Sequence, residues 1–165
     1  MTHYYERVSS RRTEALFLVL VLLFAALSLR RGSARRAQGA RRNRLTTLFA
    51  AVSIFFLFYA LNYRTLIIQL SPDTVTLRFG IFTWKIAMAN VDHSFLDETS
   101  LWRIGGAGIH FSPIKGRYRA MFNFLEYPRV VVALKKRQGP VRDIAFSTRQ
   151  PEQVLAFIRQ HTEEI

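Results

Sequence analysis

The sequence of 165 residues contains no cysteine. Disulfides, thiolate metal sites and a cysteine nucleophile are therefore excluded, although the absence does not indicate a redox compartment. Acidic residues are also few: 11 Asp and Glu stand against 24 Lys and Arg, which gives a formal net charge of +13. Half of the residues are nevertheless hydrophobic. A chain that is both so basic and so apolar must separate the two properties along its length.

Two uncharged, apolar runs lie in the first part of the chain, at residues 15–29 and 45–63. The second run is long enough to cross a hydrocarbon core of about 30 Å as a helix, and Tyr59 and Tyr63 lie where an aromatic belt would place them. The first run is short for a span, at about 22 Å, but Arg30 can snorkel at its end. A cleaved signal peptide and a buried soluble helix are the alternatives for the first run. We favour two membrane helices.

The segment between these runs, residues 30–44, holds seven arginines and no acidic residue. Fewer basic residues flank the runs on their other sides, so the asymmetry predicts that this loop faces the cytoplasm. The loop is either a solvated basic linker or a contact for anionic lipid headgroups. It has no aromatic residue to stack on bases, and nucleic acid is therefore not a predicted partner. The candidate lipid or partner contacts in the loop are Arg35, Arg36, Arg41 and Arg42.

The chain from residue 64 onward has the pattern of short strands. Within residues 75–80, Val75, Leu77 and Phe79 alternate with Thr76 and Arg78, which predicts a half-buried strand. Similar β-prone runs without intervening helices predict a small barrel or sandwich of seven strands. The seven runs are residues 65–70, 75–80, 82–88, 101–111, 117–124, 129–134 and 141–147.

The end of the chain has the pattern of an amphipathic helix. Pro151 suits a first helical position, and Glu152 follows in the first turn. Val154, Leu155 and Ile158 recur on one side of the predicted helix. Gln150, which would precede the helix, is a poor N-cap compared with Ser or Asp. We expect this helix to close an open end of the barrel.

The ordered set of these segments resembles the bacterial pleckstrin-homology-like domains that small membrane proteins carry. The resemblance covers roughly residues 65–160, and its most specific parts are "GGAGI" at residues 105–109 and the final strand followed by Thr148, Pro151 and a helix. It implies seven strands in two near-orthogonal sheets with a capping C-terminal helix, and it supplies no catalytic residues. The chain departs from the pattern in its very basic loop and in Gln150, where an acidic residue is usual.

The predicted fold class is thus an α+β membrane protein. We expect an N-terminal tail at residues 1–13, a two-helix transmembrane hairpin at 14–63 with its arginine-rich loop at 30–44, and a pleckstrin-like domain at 64–165. The predicted location is the cytoplasmic (inner) membrane. Such domains are commonly cytoplasmic, whereas two spans joined by a cytoplasmic loop would place this one on the opposite side; the side of the domain stays open.

No motif in the sequence indicates catalysis. The glycines of residues 105–108 do not match G-x-G-x-x-G and suggest a bulge or a close backbone approach. Asp92, His93, Asp97 and Glu98 cluster without a recognised ligand spacing, so we interpret them as a solvated loop and predict no metal and no cofactor. No serine has the context of a nucleophile elbow. We predict that the protein is not an enzyme, and no small-molecule substrate is identified.

Two non-enzymatic functions remain. In the first, the chain is an accessory or scaffold protein whose helices pack on a larger membrane complex, and the small residues Ala50, Ala51 and Ser53 permit close approach. In the second, the domain binds anionic phospholipid through a face that mixes basic residues with Trp102, Tyr118 and Phe122. An ordinary solvated positive sheet face is the simpler interpretation of the same pattern. The basic residues of this face are Arg103, Lys115, Arg117 and Arg119.

Overall fold

The computed structural model describes residues 3–33 and 40–163, which form two compact units. One unit is the helix pair, Arg11–Asn62. The other, called the β domain below, combines the residues before the helix pair with those after it. Of the predicted loop contacts, Arg35 and Arg36 lie outside the described residues, whereas Arg41 and Arg42 belong to the first turn of the second helix.

Nine strands and four α-helices form in the part of the chain that the structure describes. The helices are α1 (Arg11–Ser33), α2 (Ala40–Asn62), α3 (Leu101–Ile104) and α4 (Pro151–Glu163). The strands are β1 (Tyr4–Ser9), β2 (Thr65–Leu70), β3 (Thr74–Phe79), β4 (Phe82–Ala87), β5 (Val91–Leu96), β6 (Gly108–Ile114), β7 (Arg117–Asn123), β8 (Arg129–Gln138) and β9 (Val141–Ser147). The α+β composition is as predicted, but the prediction of seven strands is wrong.

Aromatic side chains pack α1 against α2. Phe24 stacks on Phe56 with ring centroids 5.7 Å apart, and Phe17 lies 5.6 Å from Tyr59. Phe17 and Phe24 are seven residues apart, which places both rings on the same face of α1. A hydrogen bond adds to this contact, because the Ser53 hydroxyl donates to a backbone carbonyl of α1, that of Val21, at 3.0 Å. Ser53 therefore packs within the helix pair.

The outer faces of both helices remain apolar and exposed. Each helix is long and apolar enough to cross a membrane. Only 11% of the most apolar stretch of each helix is buried inside the protein. Leu22 on α1 is 68% exposed, and Ile54 on α2 is 67% exposed. The core helix of a soluble protein would bury most such side chains.

Sheet one of the β domain has the strand order β1-β2-β3-β4, with every neighbouring pair antiparallel. The predicted alternation in β3 is confirmed, since Val75, Leu77 and Phe79 are fully buried while Arg78 is exposed. Gly80, at φ +60°, is the first central residue of the tight turn between Phe79 and Phe82. A two-residue hairpin with a positive φ at that position favours glycine.

The N-terminal residues form a strand and not the expected tail. Tyr4 pairs with Leu70 and Ser9 pairs with Thr65, so β1 lies antiparallel beside the strand that follows the helix pair. The helix pair therefore occupies the connection between two neighbouring strands. Local sequence gave little sign of β1, because Val8 is its only fully buried side chain.

Sheet two has the order β5-β8-β9-β7-β6, in which β7 and β9 run parallel and the other neighbours antiparallel. The predicted strand at residues 101–111 is wrong at its start: Leu101–Ile104 forms α3, and Gly105 ends it at φ +88°. The suggested glycine bulge is also absent from β6, which pairs with β7 in continuous register from Gly108. Strand β5 was missed because its acidic and histidine residues resembled a loop.

Sheet two is covered on both faces. On the face toward sheet one, Phe124 lies 5.2 Å from Phe79, and Phe122 lies 6.1 Å from Trp84. On the opposite face, called the outer face below, a smaller apolar cluster joins α3 to the sheet. Its members are Ile104, Ile114, Met121, Val131 and Ala145. This second cluster explains why β7 is buried continuously from Arg119 to its end.

Helix α4 begins at Pro151, as predicted, and packs on β5 and β8. Gln150 stands where an acidic residue is usual before this helix, and strand β1 supplies a carboxylate there. Glu6 accepts hydrogen bonds from the Arg149 backbone N–H at 2.9 Å and from the Thr148 hydroxyl at 2.5 Å. The phenol of Tyr4 donates a hydrogen bond to Glu6 at 2.8 Å. Burial raises the pKa of this phenol, and the Glu6 carboxylate raises it further. A carboxylate at this end of a helix also interacts favourably with the helix dipole.

Candidate functional site

A cleft of about 850 Å³ lies on the outer face of sheet two, beside the apolar cluster that joins α3 to the sheet. Strand β7 contributes Arg117 and Arg119, and β9 contributes Asp143. The loop after β5 and the short helix α3 form one wall, and the turn after β6 forms another. All four basic residues that the sequence predicted for a binding face line this cleft: Arg103, Lys115, Arg117 and Arg119.

The charged residues on the floor of the cleft belong to a longer chain of alternating charges. Register places Arg119 directly beside Asp143, and its Nη2 lies 3.4 Å from Asp143 Oδ2. The other carboxylate oxygen of Asp143 accepts from Arg117 Nε at 2.7 Å. Arg119 Nη1 lies 3.2 Å from Asp97 Oδ1, and Asp97 Oδ2 accepts from Arg129 Nε at 3.0 Å. We call these five side chains the ion-pair chain.

Burial makes the ion-pair chain a structural element of the domain. The side chains of Asp97 and Asp143 are each 2% exposed, and that of Arg119 is 4% exposed. Charges so deeply buried are tolerated only when partners compensate for their lost hydration. Two of the four predicted binding residues, Arg117 and Arg119, therefore already have carboxylate partners within the protein.

Asp97 is not part of a solvated loop, as the sequence analysis proposed. Burial alone would raise its pKa, but hydrogen bonds from Thr99 and Arg129 and the charge of Arg119 outweigh burial and hold that pKa below its usual range. The Thr99 backbone N–H donates to Asp97 Oδ1 at 3.1 Å, and the Arg129 guanidinium donates to the Thr99 carbonyl. Ionised Asp97 thus fixes the wall of the cleft to β8.

The other members of that acidic segment are exposed, as expected, but Asp92 and His93 lie in strand β5 and not in a loop. Among the described residues, the Asp92 carboxylate pairs only with the neighbouring His93 ring, at 2.9 Å. Over residues 3–33 and 40–163, no group of three or more His, Asp or Glu side chains is arranged to hold a metal ion.

Two basic side chains at the mouth of the cleft differ from those on its floor. Arg103 and Lys115 are exposed, and neither has an ion-pair partner among the residues that the structure describes. Lys115 also has φ +49°, the only positive value at a non-glycine residue in the described chain. Asn and Gly occupy this turn position more easily, so a lysine here is accepted at a local conformational cost. The exposed lining of the cleft therefore carries two cations without an ion-pair partner in the described residues, together with the carboxylate of Glu98.

One polar atom on the floor has no partner. The Nε of Arg119 is buried and makes no hydrogen bond within the described structure. Its guanidinium lies 5.9 Å from the ring of Phe95, which also lines the cleft. An unpaired buried donor is unfavourable, so this N–H adds to the cost of burying the Arg119 charge.

The predicted mixture of basic and aromatic residues on one face is wrong for two of the aromatic residues. Phe122 packs on Trp84 of sheet one, and Tyr118 stacks on Phe111 with ring planes 8° apart. Both alternate with Arg117 and Arg119 along β7, so they point to the opposite face of the strand. Phe95 supplies the aromatic contact instead.

Sequence reasoning missed Asp143 and Arg129, which hold the cleft together. The available signal was a lone aspartate in a strand of mainly apolar residues, within a domain whose other strands carry several arginines. The predicted helix-packing residues divide: Ser53 bonds within the helix pair, Ala50 is half-buried, and Ala51 is exposed. Comparison of the chain with family models, with curated proteins and with solved structures gives no match.

Proposed function

We propose that this chain is a non-enzymatic accessory or scaffold protein of a membrane complex, anchored in the cytoplasmic membrane by α1 and α2. One observation carries the proposal. Both helices are long and apolar enough to span a membrane, and only 11% of the most apolar stretch of each is buried inside the protein. So large an apolar surface is unfavourable in water and is accommodated by lipid or by other membrane helices. Membership of the bacterial pleckstrin-homology-like family remains part of this proposal.

The exposed face of α2 favours contact with a protein partner as well as with lipid. Exposed side chains recur at helical spacing along it, and the small residue Ala51 lies among them, where another helix can approach closely. We call this surface the α2 stripe. Its members are Leu48, Ala51, Ile54, Phe55, Phe58 and Leu61.

Replacing Ala51 with leucine is expected to weaken partner association. Added methylene groups at a close helix contact cost about 1–3 kcal/mol, which corresponds to roughly a 5- to 150-fold loss of affinity. The measurement is the stoichiometry of proteins that co-purify with the tagged chain in mild detergent, quantified by mass spectrometry for the two forms in parallel.

The Ala26→Leu variant is the matched control, since it makes the same change at an exposed position on α1. Association should survive it. A lone monomer at every detergent concentration, or an equal loss with both variants, would refute a specific contact through the α2 stripe.

An anionic-phospholipid-binding module is the alternative function. The position of the exposed side chains of Arg103 and Lys115 in the lining of the cleft favours it. Each basic side chain near a membrane surface contributes about 1 kcal/mol to the attraction of anionic lipid. The ligand would be the phosphate of a headgroup, bound by the two exposed cations above the ion-pair chain.

Under this alternative, the Arg103→Gln/Lys115→Gln variant should lose about 2 kcal/mol of lipid affinity, or roughly 30-fold. Lipid retention is measured by native mass spectrometry of the detergent-purified chain with added phosphatidylglycerol or phosphatidylcholine. The Lys135→Gln/Arg137→Gln variant removes the same charge from exposed positions on β8, outside the cleft. Equal losses in both variants would show non-specific attraction and would exclude the cleft as a headgroup site.

A further inference from the structure

The tight turn between β3 and β4 presents apolar side chains to solvent at one end of sheet one. Ile81 is 68% exposed and Phe82 is 50% exposed. The ring of Phe82 stacks on that of Tyr63, the first residue after α2, with centroids 6.4 Å apart. Two large apolar side chains at the tip of a hairpin are unfavourable in water unless another surface covers them.

Strand register fixes which end of sheet one this turn occupies. Leu66 pairs with Phe79, and Phe79 pairs with Phe82, so the turn is level with Thr65 at the start of β2. Ser9, the last residue of β1, pairs with Thr65. The turn therefore lies at the sheet end where the chain leaves for α1 and returns from α2.

Covalent connectivity sets how far this sheet end can lie from the helices. Only Ser10 separates β1 from α1, and only Tyr63 and Arg64 separate α2 from β2. Three peptide steps from Asn62 to Thr65 span at most about 11 Å. The polar interface of a bilayer is of the order of 5–8 Å thick on each side of the hydrocarbon core. If the helices end at the hydrocarbon boundary, this sheet end lies at the headgroups or within a few ångströms beyond them.

We infer that the Ile81–Phe82 turn inserts into the headgroup and upper acyl region of the same membrane that α1 and α2 cross. The inference rests on the proposed membrane-spanning role of the helices. The occupant of the apolar tip is thus a lipid surface. Exposed cations on the two strands beside the tip, Arg78 and Lys85, are placed to meet phosphate groups while Ile81 and Phe82 contact acyl chains.

The absence of native cysteine permits a direct test by site-specific labelling. An environment-sensitive fluorophore is attached to Ile81→Cys, Asp73→Cys or Ile54→Cys variants of the full chain, and each is reconstituted into lipid vesicles. Asp73 is exposed in the turn at the opposite end of β3, about 17 Å or more from the tip at strand spacing. Ile54 lies in the middle of α2 and reports whether the helices are in the membrane at all.

The label at position 81 should emit at shorter wavelength than the label at position 73. It should also lose most of its intensity with nitroxide lipids labelled high on the acyl chain. The label at position 54 should be quenched most by nitroxides placed deep in the acyl chain, and the label at position 73 by neither.

If position 54 is quenched and position 81 stays in water, the inference about the turn is wrong and the membrane anchor stands. Quenching at 73 equal to that at 81 would also refute a specific role for the tip. Absence of quenching at all three positions would refute the membrane anchor and the turn insertion together. Each variant is first checked for an unchanged unfolding midpoint of the β domain.

Discussion

Replacing Asp143 with alanine is expected to lower the free energy of unfolding of the β domain by about 3–5 kcal/mol. The substitution removes the carboxylate that pairs with both Arg117 and Arg119. Arg119, whose side chain is 4% exposed, would then be left with Asp97 as its only ion-pair partner in the described structure. A buried charge that loses a partner keeps its desolvation cost while its compensation is reduced.

The measurement is urea unfolding of the detergent-purified chain, followed by tryptophan fluorescence. Both tryptophans, Trp84 and Trp102, belong to the β domain, so the signal does not depend on the helix pair. The Asp92→Ala variant is the control, because that carboxylate is 51% exposed and, in the part of the chain that the structure describes, bonds only its neighbour His93. Its effect should stay within about 0.5 kcal/mol.

A second variant separates the loss of charge pairing from the loss of packing. Replacing Arg119 and Asp143 together with Met and Leu removes the stranded cation and keeps apolar volume, so it should recover part of the stability that Asp143→Ala loses. Equal midpoints for Asp143→Ala and Asp92→Ala would contradict the description of the ion-pair chain as a buried structural element.

Local patterns were sufficient to predict several elements. The alternation of Val75, Leu77 and Phe79 indicates β3, because one face of that strand is buried and the other is not. The start of α4 at Pro151 follows from the fixed φ of proline and from the amphipathic spacing behind it. In both cases neighbours in sequence decide the structure.

Elements that depend on distant partners were not predictable in the same way. Strand β1 contains one fully buried side chain, and its position depends on pairing with β2 and on the hydrogen bonds that Glu6 accepts from Thr148 and Arg149. More than 140 residues separate these groups in sequence. No period-two pattern reports such a contact.

The cleft shows the same limit at the level of function. Sequence reasoning selected Arg103, Lys115, Arg117 and Arg119 by charge alone, and the structure brings all four to one cleft. It did not separate the paired from the unpaired cations, because the carboxylates that decide this come from the loop after β5 and from β9. Only the tertiary fold distinguishes the floor of the cleft from its mouth.

All segments of the β domain are expected to lie on one side of the membrane, and the arginine-rich loop on the other. Strands β1 and β2 precede and follow the helix pair and are hydrogen-bonded to each other, so residues 4–9 and the rest of the β domain must lie on the same side. Two membrane-crossing helices would place residues 30–44 on the opposite side. The seven arginines of that segment predict that its side is the cytoplasm.

The most direct test is thiol accessibility in intact cells, with single cysteines introduced into the cysteine-free chain. The variants are Tyr5→Cys in β1, Asp73→Cys in the turn after β2, and Ser33→Cys at the end of α1. A membrane-impermeant reagent should label positions 5 and 73 and should reach position 33 only after the cells are permeabilised. Labelling of position 33 alone would keep the two spans but reverse the predicted side, whereas labelling of 33 together with 73, or of 5 without 73, would contradict a two-helix membrane anchor.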